Sequence, residues 1–306
     1  MLEQQLEACR WVYNDTLATR KNAWEQEQRS VDWYETKRAL PLLKELRSSL
    51  KLVHSQVLQN VTERVDLAFK AFFRRVKAGE EEVGSPRFKG LGRYDSMTYP
   101  QYGNGVCLAG DRRILSKVGS VHVVLHRPVE GTPKTVTLTR SCTGKWYACF
   151  SCEGEPQALP PTGEVVGVDS GLASFATLSN GEEVANPRFY RRDAADLKRV
   201  QPRKDAAKNA QDWTENTKQK GILAKIHERI ANRRADFAHQ RSRALINRYQ
   251  LIVFEDLAPQ EMERSHGMRT SIMDVAWSQF IRMTVAKAEE AVAPRHAARY
   301  RPFRGL

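Results

Sequence analysis

The sequence predicts an α+β chain of several domains: a helical lobe, a small β-barrel, and a mixed α/β domain in which buried strands flank long helices. Three observations carry this. Apolar residues recur every three and four positions through residues 2–77. Gly and Pro break residues 86–153 into short alternating runs. Buried-strand patterns stand on either side of two long basic helices after Pro160-Pro161. A length of 306 residues suits two or three modest domains rather than one large core.

In the first block, Leu2, Leu6, Cys9, Tyr13 and Leu17 make one apolar helix face. Val57, Val61, Val65, Ala68, Phe69, Phe72 and Val76 make a second. Leu40 and Pro41 mark a turn or helix start between them. Gly79 and the acidic run Glu80–Glu82 close the block. The apolar faces read as packing. The cations on these helices, among them Arg38, Lys44, Arg64, Arg74 and Lys77, either line a nucleic-acid groove or are solvated.

The second block holds the runs SVHVVLH, KTVTLTR and KWYACFSCE. Alternation of Val121, Val123 and Leu125, and of Val136 and Leu138, fits strands with one buried face, hence a small barrel or sandwich. In the third block Glu164–Asp169 reads as a buried strand through Val165, Val166 and Val168. Leu172–Leu178 is a second strand, Ser179-Asn180-Gly181 a tight turn, and Glu182–Ala185 a third strand. Two basic helices follow, over 190–212 and 218–249. LIVFEDL is a fourth strand and 273–292 a further helix. Three antiparallel strands, helix, then another strand is the order of an RNase H-like fold.

Lys and Arg number 49 against 36 Asp and Glu, a net charge of +13, with a pI near 9.6. An excess of this kind points to a polyanion, with nucleic acid the first expectation. It is concentrated: Arg188 to Arg248 holds 17 Lys/Arg and 7 Asp/Glu. No apolar run approaches the roughly 20 residues of a membrane span, and the first residues lack the apolar core of a secretion signal. Five cysteines at irregular spacing argue for a reducing compartment and against a disulfide framework.

Asp169 closes the first strand of the third block and Glu255 closes the fourth, 86 residues later. The expected sheet sets these strand ends side by side. Two carboxylates there supply oxygen ligands for Mg²⁺, the arrangement that activates water and stabilises the leaving oxygen in phosphodiester hydrolysis. Asp-Ser-Gly after a strand is also an ordinary turn. Asp256 competes with Glu255, and period-two alternation allows only one of them to face Asp169. Arg229, Arg233, Arg234, Arg241 and Arg243 suit phosphate contacts through their guanidinium forks, against the plainer reading of a solvated helix face. His227 and His239 read as solvated or groove-lining. Cys149-x-x-Cys152 has no second pair to complete a zinc site and reads as two half-buried cysteines. Of Trp11, Trp24, Trp33, Phe88 and Tyr99, which suit base stacking, most read as core.

The segment GVDSGLASFATLSNG resembles the first RuvC-like motif of the insertion-sequence OrfB (TnpB) transposases. NRRADFAHQRSRALINRYQLIVFEDLAPQEM resembles the stretch ending in their second motif, and SIMDVAWSQFIRMTVAKAEEA the helix beyond it. CRWVYN, SPRFKG and GKWYACF are similar to the family's helical and β-barrel segments. The resemblance runs from about Leu2 to Glu290 and places the family's first two catalytic carboxylates on Asp169 and Glu255. It implies an RNA-guided, Mg²⁺-dependent DNA endonuclease of a bacterial or archaeal cytoplasm. Its partners would be a guide RNA from the transposon end and target DNA, with no membrane partner and a monomeric state.

The implied domains are a helical recognition lobe over 1–84, a small β-barrel over 85–158 (split with the N-terminus), an RNase H/RuvC-like nuclease domain over 162–292, and a basic tail over 293–306. Family members begin with a short strand before the first helix. They also continue into a zinc ribbon with two CxxC pairs and a third motif carrying an Asp, whereas this chain reads AVAPRHAARYRPFRGL. The expectation is therefore a chain truncated at both ends, without the ribbon, the third carboxylate or zinc, and Asp274 does not replace that Asp. The alternative expectation is a nuclease-dead RNA- or DNA-binding remnant or regulator.

Overall fold

The computed structural model describes residues 1–109, 112–155, 158–255, 277–291 and 296–300. The chain divides into two units, Met1–Gly154 and Glu155–Leu306.

The first unit opens with α1 (Leu2–Glu27), α2 (Trp33–Arg38), α3 (Leu40–Leu46), a 3-10 turn (Ser48–Leu52) and α4 (Ser55–Lys77). Leu6, Cys9, Tyr13 and Leu17 of α1 are buried against Val57, Leu58, Val61 and Val65 of α4, so the first predicted face packs and the second does so through Val65, while Val76 at its far end is exposed. Pro41 sits in the first turn of α3, where its missing N–H breaks no helical bond. The strands are β1 (Ser96–Tyr99), β2 (Val106–Ala109), β3 (Arg112–Leu115), β4 (Gly119–His122), β5 (Thr132–Arg140) and β6 (Trp146–Glu153).

Among the described residues these strands form two three-stranded antiparallel sheets, β1-β5-β6 and β2-β3-β4, rather than a closed barrel. Met97, Tyr99, Val106, Leu115, Val136 and Leu138 enter the same core as α1 and α4. The strand expected to run through Leu125 stops at His122, because its partner β3 begins at Arg112, opposite His122. Leu125 is consequently exposed. Cys149 and Cys152, expected to be half-buried, are both exposed on the edge strand β6.

Polar side chains tie this unit together. Asp66 of α4 is buried and accepts from Arg20 of α1 and from Lys70, each at 2.8 Å. Burial pushes the Asp66 carboxyl up, but hydrogen bonds from Lys70 and Arg20 and their charges prevail and hold it below the usual range. Arg64 donates to the Ser96 carbonyl, the Ser96 hydroxyl and Thr98 Oγ1, joining α4 to β1. The Asn14 amide pairs with the Lys89 backbone in both directions, at 2.9 and 2.8 Å, and pins the SPRFKG segment to α1.

The second unit contains β7 (Val165–Asp169), β8 (Ser174–Leu178), β9 (Glu183–Ala185), α5 (Phe189–Arg192), α6 (Ala194–Asn209), α7 (Trp213–Arg248), β10 (Leu251–Glu255), α8 (Trp277–Glu290) and β11 (His296–Tyr300). The sheet runs β11-β10-β7-β8-β9. β7, β8 and β9 are antiparallel and β10 lies parallel beside β7, the order read from the sequence. α7 and α8 pack on one face, where Phe175, Phe237, Phe254 and Phe280 meet edge to face. Val166, Val168, Ile252 and Phe254 point into that core. Val165 was expected to be buried and is 59% exposed, because alternation puts it on the face away from the helices. Leu197, Val200, Ile226 and Ile230 form a separate small core between α6 and α7. No helix among the described residues is long and apolar enough to cross a membrane.

Candidate active site

The register of β7 and β10 sets the geometry. Leu251 pairs with Val165 and Phe254 with Val168, so the next residues along the two parallel strands are Glu255 and Asp169. Val168 and Phe254 point into the core, so alternation turns Asp169 and Glu255 together onto the opposite face. β8 extends the same row: Thr177 is the register partner of Asp169, and Glu183 of β9 is the partner of Thr177.

The chain leaving Asp169 is closely held. Ser170 is buried, and a Cβ on Gly171 would come within 3.2 Å of the Ser174 carbonyl oxygen. Asn186 donates to the Leu172 carbonyl at 2.9 Å and ties the turn to the segment after β9.

Asp169 is exposed and Glu255 half-buried. The Glu255 carboxyl is pushed above its usual range, first by burial, then by its hydrogen bond with Asp169 and the Asp169 charge. Neighbouring carboxylates repel, and either a shared proton or a cation relieves the repulsion. Among the described residues no third His, Cys, Asp or Glu gathers with them into a metal-holding group. Asp256 and Asp274, weighed in the sequence, lie outside the described residues.

The five arginines do not gather. At 100° per residue Arg229, Arg233 and Arg243 share one side of α7, with Arg234 and Arg241 about a third of a turn away. Arg229 Nη2 donates to Asp193 Oδ1 at 2.5 Å and Asp196 Oδ2 at 3.1 Å, and Arg233 Nη1 to Asp193 Oδ2 at 3.3 Å. Arg241 lies over the Phe237 ring at 5.3 Å. Arg234 is half-buried and Arg243 exposed. His227 and His239 are exposed, as expected of solvated side chains. In the first unit Tyr99 is core, Trp11 and Trp33 are half-buried, and Trp24 and Phe88 are mostly exposed. The sequence reading did not single out Thr177. The Asn180-Gly181 turn hints at its place, but the irregular pairing between Ser174 and Ala176 shifts the register.

Against this geometry stand several resemblances to known proteins. Residues 149–266 match the OrfB/IS605 family model, described as "Probable transposase", and residues 1–29 match that family's helix-turn-helix domain. A Streptomyces pristinaespiralis protein provisionally named an RNA-guided DNA endonuclease is 32% identical over 284 residues, covering 91% of this chain and 68% of its own length. Escherichia coli (strain K12) InsQ, with the same provisional name, is 31% identical over 301 residues, covering 92% of this chain and 72% of its own. Among solved structures, the Cas12f1–sgRNA–target DNA complex aligns with a TM-score of 0.55 at 10% identity, over 98% of this chain and 72% of that one, a likeness of fold.

Proposed function

Because the chain belongs to the OrfB family of IS605-type transposases, we propose that it is an RNA-guided DNA endonuclease in which Asp169 and Glu255 hold a catalytic Mg²⁺. The observation that carries the reading is the carboxylate pair itself. Two acids from strands 86 residues apart in sequence share one sheet face, and the charge of Asp169 helps hold the Glu255 carboxyl up. An all-oxygen donor pair fits a hard divalent cation. When bound, Mg²⁺ would polarise the scissile phosphate and lower the pKa of an attacking water.

The protein's own residues supply position and charge. Asp169 and Glu255 fix the anionic ligands on neighbouring strand ends, and Asn186 keeps the turn after Asp169 from drifting. Residues 1–84 are read as the helical recognition lobe, 85–158 as the β-domain beside it, and 162–292 as the RNase H/RuvC-like nuclease. The guide reads sequence by pairing while the protein grips backbone and duplex shape. Its partners are then a guide RNA from the transposon end and the target DNA.

The test is plasmid cleavage in Mg²⁺ by protein co-expressed with RNA from its own flanking transposon end, with Asp169→Ala beside it. Guided cuts that vanish in the variant are expected. Cuts that persist in both Asp169→Ala and Glu255→Gln remove these residues from the chemistry. An absence of cuts from the unmodified protein, with RNA still co-purifying, makes it a binding protein.

A further inference from the structure

Asp193 stands at the N-cap of α6, where its backbone carbonyl accepts the first helical bond from Leu197. An Asp in that place ordinarily turns its carboxylate onto the free amides of the first turn. This one makes no side-chain cap. Its two oxygens instead face α7, one to Arg229 and the other to Arg233, and Asp196 one turn later adds a second acceptor for Arg229. The Asp193 carboxylate is 9% exposed, while Arg229 and Arg233 remain 43% and 46% exposed. Two solvent-reachable guanidiniums, one turn apart, are thus held by one nearly buried acid at a helix N-cap.

We propose that Asp193 and Asp196 act as a latch, occupying in the free protein the positions that two backbone phosphates of a nucleic-acid strand take on Arg229 and Arg233 when it binds. This rests on the reading of the chain as a nucleic-acid enzyme and adds a regulated contact to it. A phosphodiester oxygen replaces each carboxylate oxygen, with the guanidinium forks unchanged. The released Asp193 carboxylate, at the N-cap of α6, can turn toward the first-turn amides of that helix, so the exchange need not leave a buried charge alone. The latch weakens random, low-affinity contacts, because any strand must first displace an intramolecular competitor.

The experiment measures binding of the full chain to short labelled RNA, single-stranded DNA and duplex DNA, in EDTA so that no cleavage intrudes, over a range of salt. Asp193→Asn keeps a good N-cap and removes the competing charge. It is expected to bind roughly three- to tenfold tighter, the range set by weak, partly exposed ion pairs. Arg229→Gln with Arg233→Gln is expected to bind more weakly and to flatten the slope of log affinity against log salt by about 1.4 for a single strand, two phosphates at roughly 0.7 each. Asp205→Asn, a change of equal charge on the same helix away from both arginines, is the control. Of the three nucleic acids, the one whose binding tightens in Asp193→Asn identifies the strand that opens the latch.

No tightening in Asp193→Asn, equal tightening in Asp205→Asn, or an unchanged slope in the arginine double variant each overturns the latch. The last result would make the arginines a brace between helices. These failures leave guided cleavage by the unmodified protein untouched. Loss of that cleavage reading would appear separately, in the Asp169→Ala comparison.

Discussion

Asp66 in the first unit and Glu255 in the second are both carboxylates on regular elements, and their environments push them in opposite directions. Asp66 is buried between two cations that outweigh its desolvation and keep it ionised. Glu255 is half-buried beside another acid, and both effects drive it toward the protonated form. The first arrangement is complete within the protein: the charge is neutralised and two helices are joined. The second sets two acids side by side on one sheet face, like charges whose repulsion a bound cation would relieve. A structural acid carries its partner with it, and an acid built for chemistry leaves a place for one.

The largest effect that would break this comparison is on catalysis. Glu255→Gln removes a ligand charge and should lower guided cleavage on the order of 10³-fold, the several kcal/mol a metal contributes to such a transition state. Asp66→Asn should leave the cleavage rate of the folded fraction unchanged. If the Asp66 variant loses cleavage without losing stability, the division between the two acids is wrong.

Stability should show the reverse. Asp66→Ala leaves the Arg20 guanidinium, only 12% exposed, without its carboxylate, and should cost about 3 kcal/mol in urea unfolding. The pH dependence follows from the lowered pKa of Asp66. Its contribution is fully present above the unfolded value near 4 and is lost as pH falls through the lower folded value. Unfolding profiles of the natural chain and Asp66→Asn should therefore converge at strongly acid pH. Curves that stay parallel down to that range would show that the pair contributes nothing through its charge.

What could be read from the sequence follows how local each signal is. The apolar runs ending in Asp169 and Glu255, and the Asn180-Gly181 turn, are contained in a few consecutive residues, and the structure brings the two strand ends together as expected. Helix existence was equally legible. The two basic helices expected over 190–212 and 218–249 are Ala194–Asn209 and Trp213–Arg248, because Asp212 caps the second through the Glu215 amide. Pairings between distant residues were not legible. The Asp66–Arg20 brace spans 46 positions and the Arg229–Asp193 pair 36, and nothing in either local pattern distinguishes a braced cation from a phosphate ligand. Sheet closure fails for the same reason: each hairpin is written locally, while a barrel requires the first and last strands to meet. Trp24 and Phe88 show the limit of hydrophobicity alone, since aromatic residues read from composition lie open to solvent.

The smallest effect tests the open acid pair without using activity. With no divalent ion, Glu255→Gln should make the protein slightly more stable at neutral pH, by at most about 0.5 kcal/mol, because water screens a half-exposed pair. The sign follows from a folded pKa above the unfolded value near 4.3. Where the Glu255 carboxyl is charged, its burial and the repulsion from Asp169 work only against the folded state. As pH falls through the folded pKa, protonation removes that penalty. The advantage of the Glu255→Gln variant should shrink over that interval and be gone once the unfolded chain is protonated as well. Mg²⁺ should invert the order at neutral pH, since an ion bound only by the native carboxylate pair stabilises the natural chain in proportion to the logarithm of its concentration. A variant less stable than the natural chain in EDTA, or stabilised by Mg²⁺ to the same degree, would mean that Glu255 already has its partner and that the contrast with Asp66 does not hold.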